Sequence, residues 1–130
     1  MSVHVLDSSA VLALILNEDG GDGVLPFLEN SLISSVNHAE IVTRLVREGL
    51  SGPDLEEAVR LVSLQIEPLT QAQSVQAGLL YSAGRVIGLS LGDRCCLALA
   101  LEKEATVVTA DHAWLNIAKV VDLEIIVTRP

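Results

Sequence analysis

The sequence predicts one α/β domain over residues 1–130, with a three-layer α/β/α arrangement and a central, mainly parallel sheet. Short strand-like segments alternate with helix-like segments along the whole chain, which is typical of βαβ units. Half of the residues are hydrophobic but only 2% are aromatic, so the core must be built from aliphatic side chains. The chain is long enough for one sizeable core, and no linker or internal repeat divides it.

The chain begins with a predicted strand and a capped helix. Residues 3–6 form the strand, which ends at Asp7, and Ser8 and Ser9 are suitable caps for a helix over residues 10–16. A polar, glycine-rich segment follows, and its composition predicts a mobile loop. This loop is predicted at residues 18–23. A short helix with Pro26 in its first turn is predicted after it, at residues 25–30.

A second strand, predicted over residues 32–36, leads into a helix that carries an acid near its start. Asn37 is a suitable cap, Glu40 takes the third helical position, and Gly49 is a plausible stop. A turn at residues 51–54 leads into a further helix. A strand is then predicted at residues 65–69, a helix at 70–84 and an irregular stretch at 85–89.

Residues 90–111 are predicted to form a buried helix and a buried strand at the centre of the domain. Ser90 is a suitable cap with Asp93 completing a capping box, and residues 95–101 are apolar on every face, which favours a buried helix. A β-branched strand follows and leads to Asp111. That strand is predicted at residues 106–109. A short helix follows at residues 113–118 and a closing strand at 124–127.

The cysteines and the N-terminus indicate the cellular setting. Cys95 and Cys96 are neighbours in a predicted helix, where they cannot form an ordinary disulfide, so we expect core thiols in a reducing compartment. The first seven residues lack a basic signal-peptide region, and no apolar run is long enough to span a membrane. We therefore expect a soluble, cytoplasmic protein.

The chain is acidic, with a net charge of −9 from eight Lys and Arg against seventeen Asp and Glu. This balance argues against a broad surface that neutralises nucleic-acid phosphates, and the few aromatic residues argue against a base-stacking platform. A nuclease is not excluded, because divalent cations can bring a phosphodiester to an acidic pocket. The charge also suggests a basic partner.

Four acids are predicted to meet at one edge of the sheet. Asp7 and Asp111 follow strands, whereas Glu40 and Asp93 open helices, and in a parallel sheet these positions lie at the carboxyl edge where ligands bind. Taken singly, each acid is explained at least as well by helix capping. Together they would repel one another unless a hard divalent cation such as Mg²⁺ or Mn²⁺ were bound. The set therefore favours a metal site.

Other polar residues are weaker candidates. Hydroxyl groups that can contact a metal-bound water or a phosphate are those of Ser8, Ser9 and Thr109, although capping explains the serines equally well. Arginines that can touch phosphates, or simply face solvent on helices, are Arg44, Arg47 and Arg94. The histidines have no partner at metal-ligand spacing, so a rim or packing role is expected for His4, His38 and His112.

The acidic motifs resemble those of PIN-domain ribonucleases. The matching stretches are D-S-S-A at Asp7, N-H-A-E-I-V at Glu40, L-S-L-G-D-R-C-C-L-A-L-A at Asp93 and T-A-D-H-A-W at Asp111. The resemblance covers essentially the whole chain and is strongest to the small VapC-type toxins of prokaryotic toxin–antitoxin pairs.

The resemblance implies a Mg²⁺- or Mn²⁺-dependent endoribonuclease in which the four acids hold the metal, with Asp7 and Asp93 ranked first, then Glu40, then Asp111. Ser8 and Thr109 would support them. The metal would activate a water for in-line attack on an RNA phosphodiester. The resemblance also implies a homodimer and an antitoxin protein that occupies the acidic pocket.

Two alternatives stay open at this point. A non-catalytic module of the same fold would bind only a partner. A receiver-like signalling domain also uses an aspartate at a sheet edge, but it needs a second acid beside the first and a lysine after a late strand. Here Leu6 precedes Asp7, and the lysines lie in helix-like segments at Lys103 and Lys119.

Overall fold

A sheet of five parallel strands forms the centre of the computed structural model, which describes residues 3–62 and 64–130. The strands are β1 His4–Leu6, β2 Ser31–Ser34, β3 Gln65–Glu67, β4 Thr106–Thr109 and β5 Ile125–Val127. Their order is β3-β2-β1-β4-β5, and every neighbouring pair is parallel. The predicted parallel sheet is confirmed.

The strand order also decides against one alternative. Receiver domains have the order 2-1-3-4-5, whereas the order here is 3-2-1-4-5. The receiver-like interpretation is therefore wrong. The direction of the order reverses between β1 and β4, and such a reversal opens a crevice at the carboxyl edge of a parallel sheet.

Helices connect the strands and cover both faces of the sheet. The α-helices are α1 Ser8–Ile15, α2 Ser35–Arg47, α3 Gly52–Arg60, α4 Gln71–Leu79, α5 Tyr81–Gly84, α6 Leu91–Lys103 and α7 Trp114–Ile117. Two 3-10 helices span Gly21–Phe27 and Arg85–Ile87. Within the described residues, no helix has the length and apolar character needed to cross a bilayer.

The two larger apolar clusters lie on opposite faces of the sheet and confirm the three layers. Successive strand side chains point to opposite faces, so Val5 and Leu6 belong to different clusters. The first cluster also contains residues of α6 and α7, among them Leu97, Leu99, Trp114 and Ile117. The second contains residues of α1, α2 and α3, among them Val11, Ile41, Leu45 and Ala58.

Helix α6 is buried as predicted. Residues 95–100 are all buried, and both cysteines are free thiols. Its capping box is also present, because Ser90 Oγ accepts from Asp93 N at 3.2 Å while Asp93 Oδ2 accepts from Ser90 N at 2.9 Å. This cap fixes the start of the helix, and with it the position of Asp93, at the carboxyl edge.

Two predicted caps were wrong. Neither Ser8 nor Ser9 caps α1: Asp7 does, as the capping explanation of that acid predicts, since its Oδ1 accepts from Ala10 N at 2.9 Å and Ser8 is the first helical residue. Helix α2 is capped by Ser34 rather than Asn37, because β2 ends early and Ser34 Oγ accepts from Val36 N at 3.2 Å. Asn37 is therefore buried inside α2, and Glu40 lies beyond the first helical turn.

Three other boundaries also differ from the prediction. The predicted loop and short helix of residues 18–30 are replaced in part by the 3-10 helix Gly21–Phe27, which contains Pro26 in its interior. The predicted helix over residues 70–84 is divided at Leu80 into α4 and α5. The predicted irregular stretch after it contains the 3-10 helix Arg85–Ile87. These differences lie in short, turn-rich connections, where composition determines boundaries weakly.

Candidate active site

The four predicted acids line one cleft of about 460 Å³ at the carboxyl edge of the sheet. Asp7 follows β1 and Asp111 follows β4, so these two flank the point where the strand order reverses. Glu40 comes from α2 and Asp93 from the first turn of α6. The structure therefore brings together side chains from four separate parts of the chain.

Asp7 is the most buried of the four, with 3% of its surface exposed. Its carboxylate accepts from Thr109 Oγ1 at 2.7 Å and from Ser9 Oγ at 2.8 and 2.9 Å. Burial nevertheless raises its pKa to about 6, with a smaller contribution from the charge of Asp93, while the hydrogen bonds act in the opposite direction. The protein thus holds a carboxylate whose negative charge is energetically unfavourable.

Glu40 is held by a small polar network. Its Oε1 accepts from Ser8 Oγ at 2.6 Å and from Asn37 Nδ2 at 2.9 Å. Asn37 Nδ2 also lies 3.1 Å from the carbonyl oxygen of Gly92 and so links α2 to α6. Asn37 was expected only as a cap. Its spacing of three residues from Glu40, which places both on one helix face, was the signal for this contact.

Close packing against Gly92 further defines the position of Glu40. A Cβ atom at Gly92 would lie 2.6 Å from Glu40 Cδ and closer still to Oε2. The glycine before Asp93 therefore leaves the space that the Glu40 carboxylate occupies. The L-G-D sequence at the start of α6 thus serves both acids.

Asp93 and Asp111 complete the cleft. Burial raises the pKa of Asp93, and the charges of Glu40 and Asp111 raise it further. Asp111 is exposed, and its Oδ1 accepts from Ala113 N at 2.9 Å. Each acid is turned toward its own hydrogen-bond partners, and within the described ranges no three acidic, histidine or cysteine side chains form a ready ligand set for a metal.

The hydroxyl groups divide between two acids. Ser8 contacts Glu40, whereas Thr109 contacts Asp7. Ser9 does not cap α1: its Oγ donates to both oxygens of Asp7 and also accepts from Ala110 N at 3.0 Å. Ser9 and Thr109 together hold Asp7 at the junction of β1 and β4.

The arginines are distributed differently from the prediction. Arg44 and Arg47 line the cleft, but Arg94 does not. Arg94 Nη1 donates to the carbonyl of Ala77 at 2.9 Å, and its guanidinium lies 5.4 Å from the centre of the Tyr81 ring. Arg94 therefore packs α6 against neighbouring helices. Arg129, which no sequence motif singles out, lines the cleft instead.

The fold and the cleft together define a parallel α/β/α domain with an acidic site at the switch point of its sheet. The PIN domain family profile matches residues 4–120. The chain therefore belongs to the PIN domain family, whose members are typically nucleases.

Solved structures of toxin–antitoxin proteins share this fold. A toxin–antitoxin complex from Klebsiella pneumoniae has a TM-score of 0.75 and 13% identity, covering 96% of this chain and 97% of that one. VapBC-5, a toxin–antitoxin system from Mycobacterium tuberculosis, has a TM-score of 0.66 and 18% identity, with coverage of 98% and 99%. VapBC-1 from nontypeable Haemophilus influenzae has a TM-score of 0.65 and 16% identity, with coverage of 96% and 97%.

A search of curated proteins found no match.

Proposed function

We propose that this protein is a Mg²⁺- or Mn²⁺-dependent endoribonuclease and the toxin component of a toxin–antitoxin pair. The observation that carries the proposal is the convergence of Asp7, Glu40, Asp93 and Asp111 on one cleft of a PIN domain. The similarity of the fold to toxin–antitoxin structures supports the toxin role.

The residues of the cleft suit a hard divalent cation. They offer carboxylate oxygens, which Mg²⁺ and Mn²⁺ prefer. Burial raises the pKa of both Asp7 and Asp93, so each is a carboxylate that a nearby positive charge would stabilise. A ready set of three protein ligands is not required, because Mg²⁺ usually binds through one or two carboxylates and retains several waters.

The chain's own residues have distinct roles in this proposal. Asp7 and Asp93 hold the cation, and Glu40 and Asp111 complete the acidic set. Ser9 and Thr109 fix Asp7, whereas Ser8 and Asn37 fix Glu40. A cation held there would supply water activation and electrostatic stabilisation of the charge that develops on the phosphate.

Metal removal and loss of Asp93 provide the direct test. Purified protein should cleave single-stranded RNA with Mg²⁺ or Mn²⁺, and EDTA should abolish the cleavage. Asp93→Asn keeps an oxygen for the capping box but removes a charge, so Mn²⁺ binding by calorimetry and RNA cleavage should both be lost in a folded protein. Asp122→Asn, at an exposed position outside the cleft, is the control. Undiminished cleavage by Asp93→Asn would contradict the proposal.

Gly92→Ala should disturb the site without unfolding the protein. The added methyl group meets the end of the Glu40 side chain, so that carboxylate must move and its hydrogen bonds with Ser8 and Asn37 are disturbed. The higher helix propensity of alanine offsets part of this cost. We expect cleavage to fall roughly 10-fold, or about 1.4 kcal/mol in the barrier, with a change of less than about 1 kcal/mol in the free energy of unfolding.

Gly78→Ala is a matched control, because Gly78 also lies in a helix and its added methyl group would meet nothing within 4 Å. Both variants are compared by urea unfolding and by initial cleavage rate. Equal rates for the two would show that the position of Glu40 is unimportant.

The partners follow from the same proposal. The acidic cleft and the net charge of −9 suit a basic segment of an antitoxin. Apolar side chains that are exposed between residues 75 and 91 are available for a homodimer interface, namely Val75, Leu79, Tyr81, Val86 and Leu91. Sedimentation of the purified protein would detect the dimer. A non-catalytic, partner-binding PIN module is the second candidate, and it predicts antitoxin binding without RNA cleavage.

A further inference from the structure

Basic residues are concentrated at the acidic cleft. The chain has only eight Lys and Arg, and three of them line this one cleft, namely Arg44, Arg47 and Arg129. An acidic protein repels RNA over most of its surface, so any contact with RNA phosphates must be made locally. The arginine side chains that could make such a contact lie at this cleft.

The C-terminal tail, residues 128–130, is anchored on both sides of Arg129. Thr128 N donates to the carbonyl oxygen of Thr109 at 2.9 Å, and Thr128 Oγ1 lies 3.3 Å from the same oxygen. On the far side of Arg129, the Pro130 carbonyl lies 3.2 Å from His112 Nε2. The tail is therefore attached to the strand end whose Thr109 hydroxyl holds Asp7.

The glycine-rich segment after α1 allows this approach of the tail. Gly20 has φ of +87°, and a Cβ atom there would lie 2.8 Å from Arg129 Cα. Arg129 Nε also donates to the carbonyl oxygen of Asp19 at 3.3 Å. The glycine-rich segment therefore contacts both the backbone and the guanidinium group of Arg129.

The three arginines differ in how far their charge is already paired. Arg44 lies 2.7 Å from Glu48 and 3.6 Å from Glu18. Among the described residues, neither Arg47 nor Arg129 has an acidic side chain within ion-pair distance. Within the described part of the chain, Arg129 donates through Nε to the Asp19 carbonyl, which leaves its two terminal nitrogens for a bidentate contact with a phosphate.

We propose that Arg129 binds a phosphate of the RNA chain beside the phosphodiester that is cleaved. This inference rests on the proposed ribonuclease function and adds the C-terminal tail to the substrate site. Arg129 is a substrate-binding residue in this scheme, and the tail and the glycine-rich segment position it.

The test compares Arg129→Gln and Arg129→Lys with Arg85→Gln, whose arginine is exposed and outside the cleft. The probe is a fluorescein-labelled single-stranded RNA of mixed sequence, bound with Ca²⁺ in place of Mg²⁺ and checked for integrity. We expect Arg129→Gln to raise Kd roughly 10-fold and to reduce the slope of log K against log salt by about 0.7. In cleavage assays its KM should rise more than its kcat falls, and its Mn²⁺ binding should be unchanged. Arg129→Lys should be intermediate, and Arg85→Gln should match the wild type.

Four outcomes would overturn the inference. If the wild type cleaves RNA while Arg129→Gln has the same affinity and salt slope, the phosphate contact is wrong but the ribonuclease function stands. If Arg129→Gln loses Mn²⁺ binding, the tail has a structural role instead. Unchanged RNA affinity together with weaker binding of a poly-glutamate peptide would assign Arg129 to an acidic protein partner. If the wild type neither binds nor cleaves RNA, the proposed function fails as well.

Discussion

Asp7→Asn should lower RNA cleavage about 1,000-fold while making the metal-free protein more stable at neutral pH. The loss follows because a bound cation supplies several kcal/mol of transition-state stabilisation and Asp7 is proposed to hold it. The gain follows because burial raises the pKa of Asp7 from 3.8 to about 6, so its ionised form destabilises the folded state by up to about 3 kcal/mol. An uncharged amide removes that cost.

Asparagine suits this experiment because it preserves most of the local structure. Its oxygen can still accept from Ala10 N and cap α1, and asparagine is a good N-cap. Its amide can donate to the hydroxyl groups of Ser9 and Thr109, which can reverse their roles. We therefore expect a native circular dichroism spectrum.

Urea unfolding with EDTA, Mn²⁺ calorimetry and a cleavage assay would be run on Asp7→Asn and on Asp54→Asn, an exposed control on α3. Lower stability accompanying lower activity would mean that the loss of activity reflects unfolding. Opposite changes in stability and activity are the result that the metal-binding role requires.

Local sequence rules were sufficient to predict three acids of the cleft, whereas the fourth, Glu40, was selected on a cap at Asn37 that the structure does not have. Asp7 and Asp111 follow strands and Asp93 completes a capping box, and each of these positions depends on a few neighbouring residues. Once a parallel sheet is expected, strand ends and helix starts meet at one edge without knowledge of the strand order. The strand order itself required the structure.

Contacts between distant segments were not predictable in the same way. The cap of α2 illustrates this, since Ser34 and Asn37 are both good capping residues and the choice depends on where β2 stops pairing with β3. The contact of Asn37 with Gly92 depends on how α2 packs on α6. Tertiary packing likewise places Arg129 in the cleft and Arg94 against Tyr81.

The metal-free protein should become more stable as pH falls from 7 to 5. The pKa of Asp7 is about 6 in the folded protein, against 3.8 for an unperturbed carboxyl group. Protonated Asp7 therefore gives its full contribution to stability below about pH 3.8, and this contribution is lost as the pH rises through about 6. The pKa of Asp93 is raised in the same direction. From Asp7 alone we expect about 1 kcal/mol more stability at pH 5 than at pH 7.

The comparison of wild type with Asp7→Asn isolates this contribution from that of the other acids. Urea unfolding in EDTA at both pH values should show a smaller pH dependence in the variant, and equal dependence in the two proteins would contradict the assignment to Asp7. Added Mn²⁺ should reverse the trend in the wild type, because a cation binds the ionised carboxylate and stabilises the folded state more at pH 7 than at pH 5. The burial that destabilises the metal-free protein at pH 7 would then make its stability depend on the metal, since the ionised Asp7 carboxylate, which is costly without a cation, is the ligand that binds it.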